Sequence, residues 1–405
     1  MSGSHARALV ALATMYAAGG CAHHAAKTAA PVATPAPAPS REDELRREAI
    51  RQLQNIESML DAVAVVRGLS LTTRPPIAVL DDARFTAACG EELRANIAQL
   101  TGTEGWHGPA AAAMRNPERN CTDLAALYDT HHDRVIIKRS SYDRRTRGHR
   151  VELLSHELEH AIVAHALPTA PPLHGVDELS ALHALEEGDA TVTSVAFLLS
   201  LDAKPLRDAI PRLLARIAAA EPKSLHDSSF FAYSLGARFV LELYQRGGFL
   251  AVNDAFARPP ASTSEILHVD RYLAPVPPPN VATRLPLPAP FQAVLSDTRG
   301  EYGLRDALSY CMLPAPAMAL AADWRADQFT ASSKSPSGRQ MFRWIVAWRS
   351  EAAAQQFAGV LGHCLWTLRM RVAQKGAITV AVSGPDDDAA RRYAGEVLAD
   401  VLTLP

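Results

Sequence analysis

The 405-residue sequence predicts an α+β fold, mainly helical, with a smaller α+β region at its C-terminus. Three observations carry this reading. Apolar residues recur every three or four positions from Leu45 to Val63, from Val151 to Ile162 and again over residues 177–201, the period of amphipathic helices. Seven prolines between Ala274 and Pro290 forbid regular helix there and mark the best internal boundary. Beyond them Phe342, Trp344, Val346 and Trp348 alternate along one face of a strand, the period of a sheet.

Composition narrows the function classes. The chain is 48% hydrophobic and 21% charged, enough to build a core, and 41 Lys+Arg against 43 Asp+Glu leave a net charge of −2. A nucleic-acid partner is not expected, because phosphate binding requires a basic excess.

The elements follow in order. Residues 1–21 read as a signal peptide: Arg7, an apolar run from Ala8 to Gly20 too short to span a bilayer, and then Cys21. Ala18-Gly19-Gly20-Cys21 is similar to a bacterial lipoprotein cleavage box, with Ala18 where Leu is usual. The expectation is an exported protein of the bacterial cell envelope, anchored to the membrane by a lipid on Cys21; an ordinary signal peptide cut near Gly20 remains the alternative. Residues 22–40, rich in Ala and Pro, suit an extended tether, and His23 and His24 are solvated linker residues. Ser40 and Asp43 form a capping box that starts the folded body over 41–274. A short apolar stretch at Ile77–Leu80, a helical region near residues 85–100, a loop at Gly102, Gly105 and Gly108, and a strand through Leu127-Tyr128-Asp129 and Arg134–Lys138 follow. Residues 275–290 read as a linker. The region 291–405 reads as helix at residues 301–322, strand at Gln340–Trp348, helix from Glu351, strand at residues 378–382 and a last helix after Asp388.

Four cysteines follow Cys21: Cys89, Cys121, Cys311 and Cys364. In an oxidising compartment they suit two disulfides, Cys89 with Cys121 and Cys311 with Cys364 by proximity, although three pairings and free buried thiols remain open.

Chemistry concentrates at His156-Glu157-Leu158-Glu159-His160. On a helix, positions i and i+4 share a face, so His156 and His160 can grip one zinc ion. Glu157 points off that seam and is placed to take a proton from the metal's water. A catalytic zinc needs a third protein ligand from another element. Glu187, in Glu186-Glu187-Gly188-Asp189-Ala190 on the second helix, supplies it, with Glu186 and His183 as rivals. Gly188 suggests a close backbone approach to the metal helix. Asp189 is the leading candidate to orient a ligand histidine. Tyr233 and His268 are candidate donors to the oxyanion, His268 at the end of a short helix capped by Ser262 and Glu265. His165, His226 and His363 receive no role.

These residues carry a resemblance. His156-Glu157-x-x-His160 followed by Glu187-Gly188-Asp189-Ala190 resembles the gluzincin pattern of zinc metallopeptidases, and the order of Leu127-Tyr128-Asp129, the HExxH helix, Glu187 to Thr191, Tyr233-x-x-Gly236 and Ser262 to His268 is similar to bacterial, often lipoprotein, gluzincin-like proteins of mostly uncharacterised function. The resemblance covers residues 60 to 275 and implies a gluzincin-like domain that hydrolyses peptide or protein substrates, with His156, His160 and Glu187 as zinc ligands and Glu157 as general base. Family members usually have an uncharged residue at the position of Glu159. Here that glutamate also permits the inverted reading His156-x-x-Glu159-His160; the flanking segments favour Glu157, leaving Glu159 beside the site or facing solvent. The rival class is a non-catalytic zinc-binding envelope lipoprotein, marked by a fourth protein ligand such as His183 or Glu186.

Overall fold

The computed structural model describes residues 56–405 except 72, 101–120, 123, 170, 172, 174, 224, 226, 228, 335–339, 365–369, 385 and 404–405. The leader, the tether, the helix start at Ser40, the glycine loop and His226 lie outside the described residues. The fold is α+β, and no described helix is long and apolar enough to cross a membrane.

Helix α1 (Ile56–Arg67), strand β1 (Ile77–Leu80), helix α2 (Asp82–Leu100), strands β2 (Ala126–Asp129) and β3 (Arg134–Lys138), and helices α3 (Arg139–Arg144) and α4 (Arg147–Ala166) come first. β3 is central, parallel to β1 and antiparallel to β2, with Val135 opposite Ile77 and Ile137 opposite Ala126. Its β-branched residues alternate as the period of two demands. Val135 and Ile137 pack on Met59, Leu60 and Val63 of α1 and on Leu154, Leu158 and Ile162 of α4. Ile136 faces the other side, against Phe85 and the disulfide between Cys89 and Cys121. Cys311 is also disulfide-bonded, while the side chain of Cys364 lies outside those described.

The helical part that follows holds α5 (Val176–Ser200), α6 (Leu206–Ala220), a 3₁₀ turn (Glu221–Lys223), a π-helix (Phe230–Leu235), α7 (Gly236–Ala257), α8 (Thr263–Leu267) and α9 (Val269–Leu273). α5 lies against α4, where Ser155 and Ser194 share a 2.8 Å hydrogen bond. A Cβ on Gly188 would sit 2.3 Å from the Gly236 carbonyl carbon, and one on Gly236 would sit 2.0 Å from the Ala184 carbonyl oxygen. The two glycines therefore let α5 and the start of α7 cross backbone to backbone. The close approach expected of Gly188 exists, but its partner is α7, not the metal helix.

The C-terminal body contains β4 (Gln292–Asp297), α10 (Gly300–Ser309), α11 (Pro314–Ala321), β5 (Trp324–Ser333), β6 (Gln340–Trp348), α12 (Glu351–Cys364), β7 (Met370–Lys375), β8 (Ile378–Ser383) and α13 (Asp387–Val401). Its sheet runs β4-β5-β6-β8-β7, antiparallel throughout. Trp344, Val346 and Trp348 face α10, α11 and α12, with Phe342 packed at the margin, as their alternation predicts. Met341, Ile345 and Ala347 face α13. The helix expected over 301–322 is broken in two, with Pro314 opening the second piece.

The proline-rich stretch is a covering layer, not a free linker. Val281 is buried beside α13, the Leu285 and Pro286 carbonyls accept from Arg343 and Tyr393, and Thr283 and Arg284 bind Asp400. Ser262 does not cap α8 through its side chain; Glu265 accepts from Ala261 N–H, and Thr263 turns to Asp177.

The two halves meet at the N-terminus of α5. Asp297 Oδ1 accepts from Val176 N–H at 3.0 Å, and Asp177 takes both the N–H and the hydroxyl of Thr263. Gly300, at φ +69°, lies so close that a Cβ there would meet the Asp177 carboxyl at 1.7 Å. Burial pushes Asp177 up to about 8, and the charges of Asp327 and Glu301 add to the rise against the Thr263 donors.

Two outcomes follow from this packing. Gly236→Ala places a methyl into the Ala184 carbonyl and is expected to destabilise the protein by about 1–3 kcal/mol in chemical denaturation, in the range of overpacked interiors. Between the unfolded value of 3.8 and about 8, the folded state keeps a proton on Asp177 that the unfolded chain has lost, so stability from this group falls as pH rises through that window. Asp177→Asn removes the slope, and denaturation series at pH 5, 6, 7 and 8 are expected to show the variant gaining on the wild type.

Candidate metal centre

α4 presents His156, Glu157 and His160 because its opposite face, Leu154, Leu158 and Ile162, is committed to the core. α5 brings Glu187 against them. His156 Nε2 lies 2.9 Å from Glu187 Oε2, His160 Nε2 lies 3.2 Å from His156 Nε2, and His160 Nε2 lies 3.7 Å from Glu187 Oε2. Three ligands at tetrahedral Zn–N and Zn–O distances sit about 3.3 Å apart, so this triangle fits a single ion. Among the described residues, His156, His160 and Glu187 form the one group whose donor atoms converge within 4.8 Å. The trio can hold a metal ion.

Electrostatics agree with that use. Glu187 is 2% exposed, and burial opposes its charge, yet the hydrogen bond with His156 and the charge of His160 hold its carboxyl well below the usual range. Burial works against a charged His160 too, but Glu187 beside it holds the ring up at about 9. The site is thus built around a buried anion that attracts positive charge.

Glu157 is buried at the margin of this group. Burial pushes its carboxyl up, His156 and His160 pull it down, Glu187 pushes it up again, and the Tyr128 backbone N–H donates to it. The strand segment Leu127-Tyr128-Asp129 is therefore part of the site. Tyr233 stacks on the His156 ring, with centroids 5.6 Å apart and planes 25° from parallel. It reaches that position from the π-helix, whose extra residue per turn rotates it relative to an α-helical course. No periodicity in the sequence signals that turn.

The rival donors stand outside the triangle. His183 Nδ1 lies 3.9 Å from Glu187 Oε1, and burial lowers its affinity for a proton. Burial pushes Glu186 up to about 7, with His160 opposing.

Two residues given roles by the sequence bind elsewhere. His268, expected as a donor to the oxyanion, has its Nε2 2.9 Å from Glu301, a fully buried carboxylate also bound by Arg271, Arg305 and Ser264. A buried charge of this kind needs several partners, and His268 is one of them. Asp189 does not orient a ligand histidine. Its oxygens bind Arg67 Nε and Nη2 at 2.8–3.0 Å, and Thr193 approaches at 3.5 Å.

Glu159, expected beside the site or in solvent, is buried in that same cluster, with Oε1 3.8 Å from Arg67 Nε and Oε2 3.7 Å from His160 Nδ1. Its burial and the Asp189 charge push its carboxyl well above the usual range. Sequence reasoning did not single out Arg67, and its one available signal was a cation closing an amphipathic helix. His165 is a surface staple between Thr73 and Asp133, and His363 binds the Gly359 carbonyl, so neither enters the site.

Comparison of the chain with protein-family models, with curated proteins and with solved structures finds no match in any of the three.

Proposed function

We propose that the protein is an exported zinc metallopeptidase, anchored to the bacterial cell envelope by its N-terminal cysteine and acting on peptide or protein substrates. The observation that carries this reading is the convergence of His156, His160 and Glu187, with Glu157 buried at their margin. Two imidazoles and a carboxylate are the donor set of a hydrolytic zinc. The Cys89–Cys121 disulfide supports the exported location, since such bonds persist in oxidising compartments.

A bound zinc supplies Lewis acidity to the reaction. The chain supplies the rest. Glu157, raised by burial, takes a proton from the attacking water on its carboxylate and returns it to the departing amine nitrogen. Tyr233, lying against the His156 ring, donates its phenolic proton in a hydrogen bond to the carbonyl oxygen as charge develops there. His156, His160 and Glu187 hold their donor atoms in a fixed triangle. A zinc-binding but non-catalytic envelope protein calls for a fourth protein ligand, and neither His183 nor Glu186 belongs to the converging group.

Metal analysis of the purified chain, together with a peptide-library digest, tests the proposal. About one zinc per chain is expected, with cleavage that Glu157→Gln abolishes while leaving the zinc in place. Zinc without cleavage in the wild type supports the non-catalytic class, and a metal-free protein defeats both. Tyr233→Phe is expected to lower kcat by about a hundredfold with KM and zinc content little changed, measured on any peptide the digest identifies.

A further inference from the structure

We propose that Glu159 is a positioning residue that holds the His160 ring through Nδ1, and that the Arg67–Asp189 pair locks Glu159 in place for that task. The inference rests on the metal reading above. His160 contributes Nε2 to the donor triangle, so its other ring nitrogen must carry the proton and find an acceptor. Glu159 Oε2 lies 3.7 Å from that Nδ1, about 0.5–1 Å beyond an ordinary hydrogen bond, a gap that a small side-chain rotation closes.

The surroundings fix where Glu159 can point. Arg67 is wholly buried, its Nε and Nη2 grip Asp189, and its Cζ lies 4.5 Å from the centre of the Phe249 ring. Held by Asp189 and Phe249, the guanidinium stands 3.8 Å from Glu159 Oε1 and leaves Oε2 toward His160. Burying an arginine with two acids is an expensive way to fill space, since apolar side chains of equal volume often stabilise as well or better. Such a trio lacks one thing this one has, an acceptor beside His160 Nδ1. The same placement assigns the two glutamates of the motif: Glu159 acts through His160, whereas Glu157 faces the reacting atoms.

The test is the zinc affinity of the full chain, read by competition with a chromophoric chelator, beside thermal unfolding of the metal-stripped protein. Glu159→Met is expected to weaken zinc binding about 10–100-fold. Glu159→Gln keeps an oxygen for Nδ1–H and an amide for Asp189, and is expected to remain within about threefold of the wild type. Arg67→Met is expected to weaken zinc in the same direction as Glu159→Met. A purely structural role moves the unfolding midpoint and leaves zinc affinity unchanged, which overturns the proposal. So does a Glu159→Gln loss as large as that of Glu159→Met. If neither Met variant folds, the zinc form of the wild type decides: a slowly exchanging His160 Nδ1 proton in imidazole-tuned ¹H–¹⁵N spectra is expected, and its absence overturns the proposal. A wild type that binds no zinc fails the metal reading itself, a distinct outcome.

Discussion

The structure is organised around an ionised carboxylate where water barely reaches. Glu187 is 2% exposed, and a lone charge there would be strongly destabilising. What makes it tolerable is the pair of imidazoles from α4, one at 2.9 Å and the other at 3.7 Å. The pairing demands that α4 and α5 lie side by side at fixed rotation. Much of the remaining architecture secures that rotation: the shared hydrogen bond of Ser155 and Ser194, the glycine crossing of α5 with α7, and the hydrophobic cluster under α4.

The C-terminal body takes part in the same task. Asp297 occupies the N-terminus of α5, where unpaired N–H groups and the helix dipole favour an acceptor. Glu301 and Arg305 of α10 tie into Glu221, Ser264, His268 and Arg271 of the helical half. Burial opposes the charge of Glu301, but His268, Arg305 and Arg271 hold it below the usual carboxylate range. Helix α5 is therefore fixed at its start by one half of the chain and at its middle by the other. Asp297, Glu301 and Arg305 make the start of the C-terminal body part of the support for the helix that carries Glu187.

Features set by local spacing were legible in the sequence. The i, i+4 spacing of His156 and His160 and the alternation through Trp344 and Trp348 follow from neighbours along the chain. Features decided by distant partners were not. The burial of Glu159 depends on Arg67, which lies on another helix, and the pairing of His268 with Glu301 depends on the C-terminal body. Strand β5, Trp-Arg-Ala-Asp-Gln-Phe-Thr-Ala-Ser-Ser, hides its period because Asp327 faces inward to accept from the indoles of Trp324 and Trp344. The proline-rich stretch read as a linker because its composition excludes helix. Composition carries no information about Val281, Leu285 and Leu287 packing beside α13.

The two glutamates of the motif, equivalent as letters, stand in different surroundings. Positions 157 and 159 are two residues apart on α4, so their side chains diverge by about 200° around the helix axis. One direction leads to the edge strand, where the Tyr128 N–H meets Glu157 beside the imidazoles of His156 and His160. The other leads inward, between α1 and α5, to Arg67 and Asp189. Under the proposed function the group that exchanges protons must be the more reachable one, and Glu157 is 8% exposed where Glu159 is 1%. Exchanging the two surroundings would require the helix to rotate by more than half a turn. That rotation would take Leu154, Leu158 and Ile162 out of the core and His156 and His160 away from Glu187.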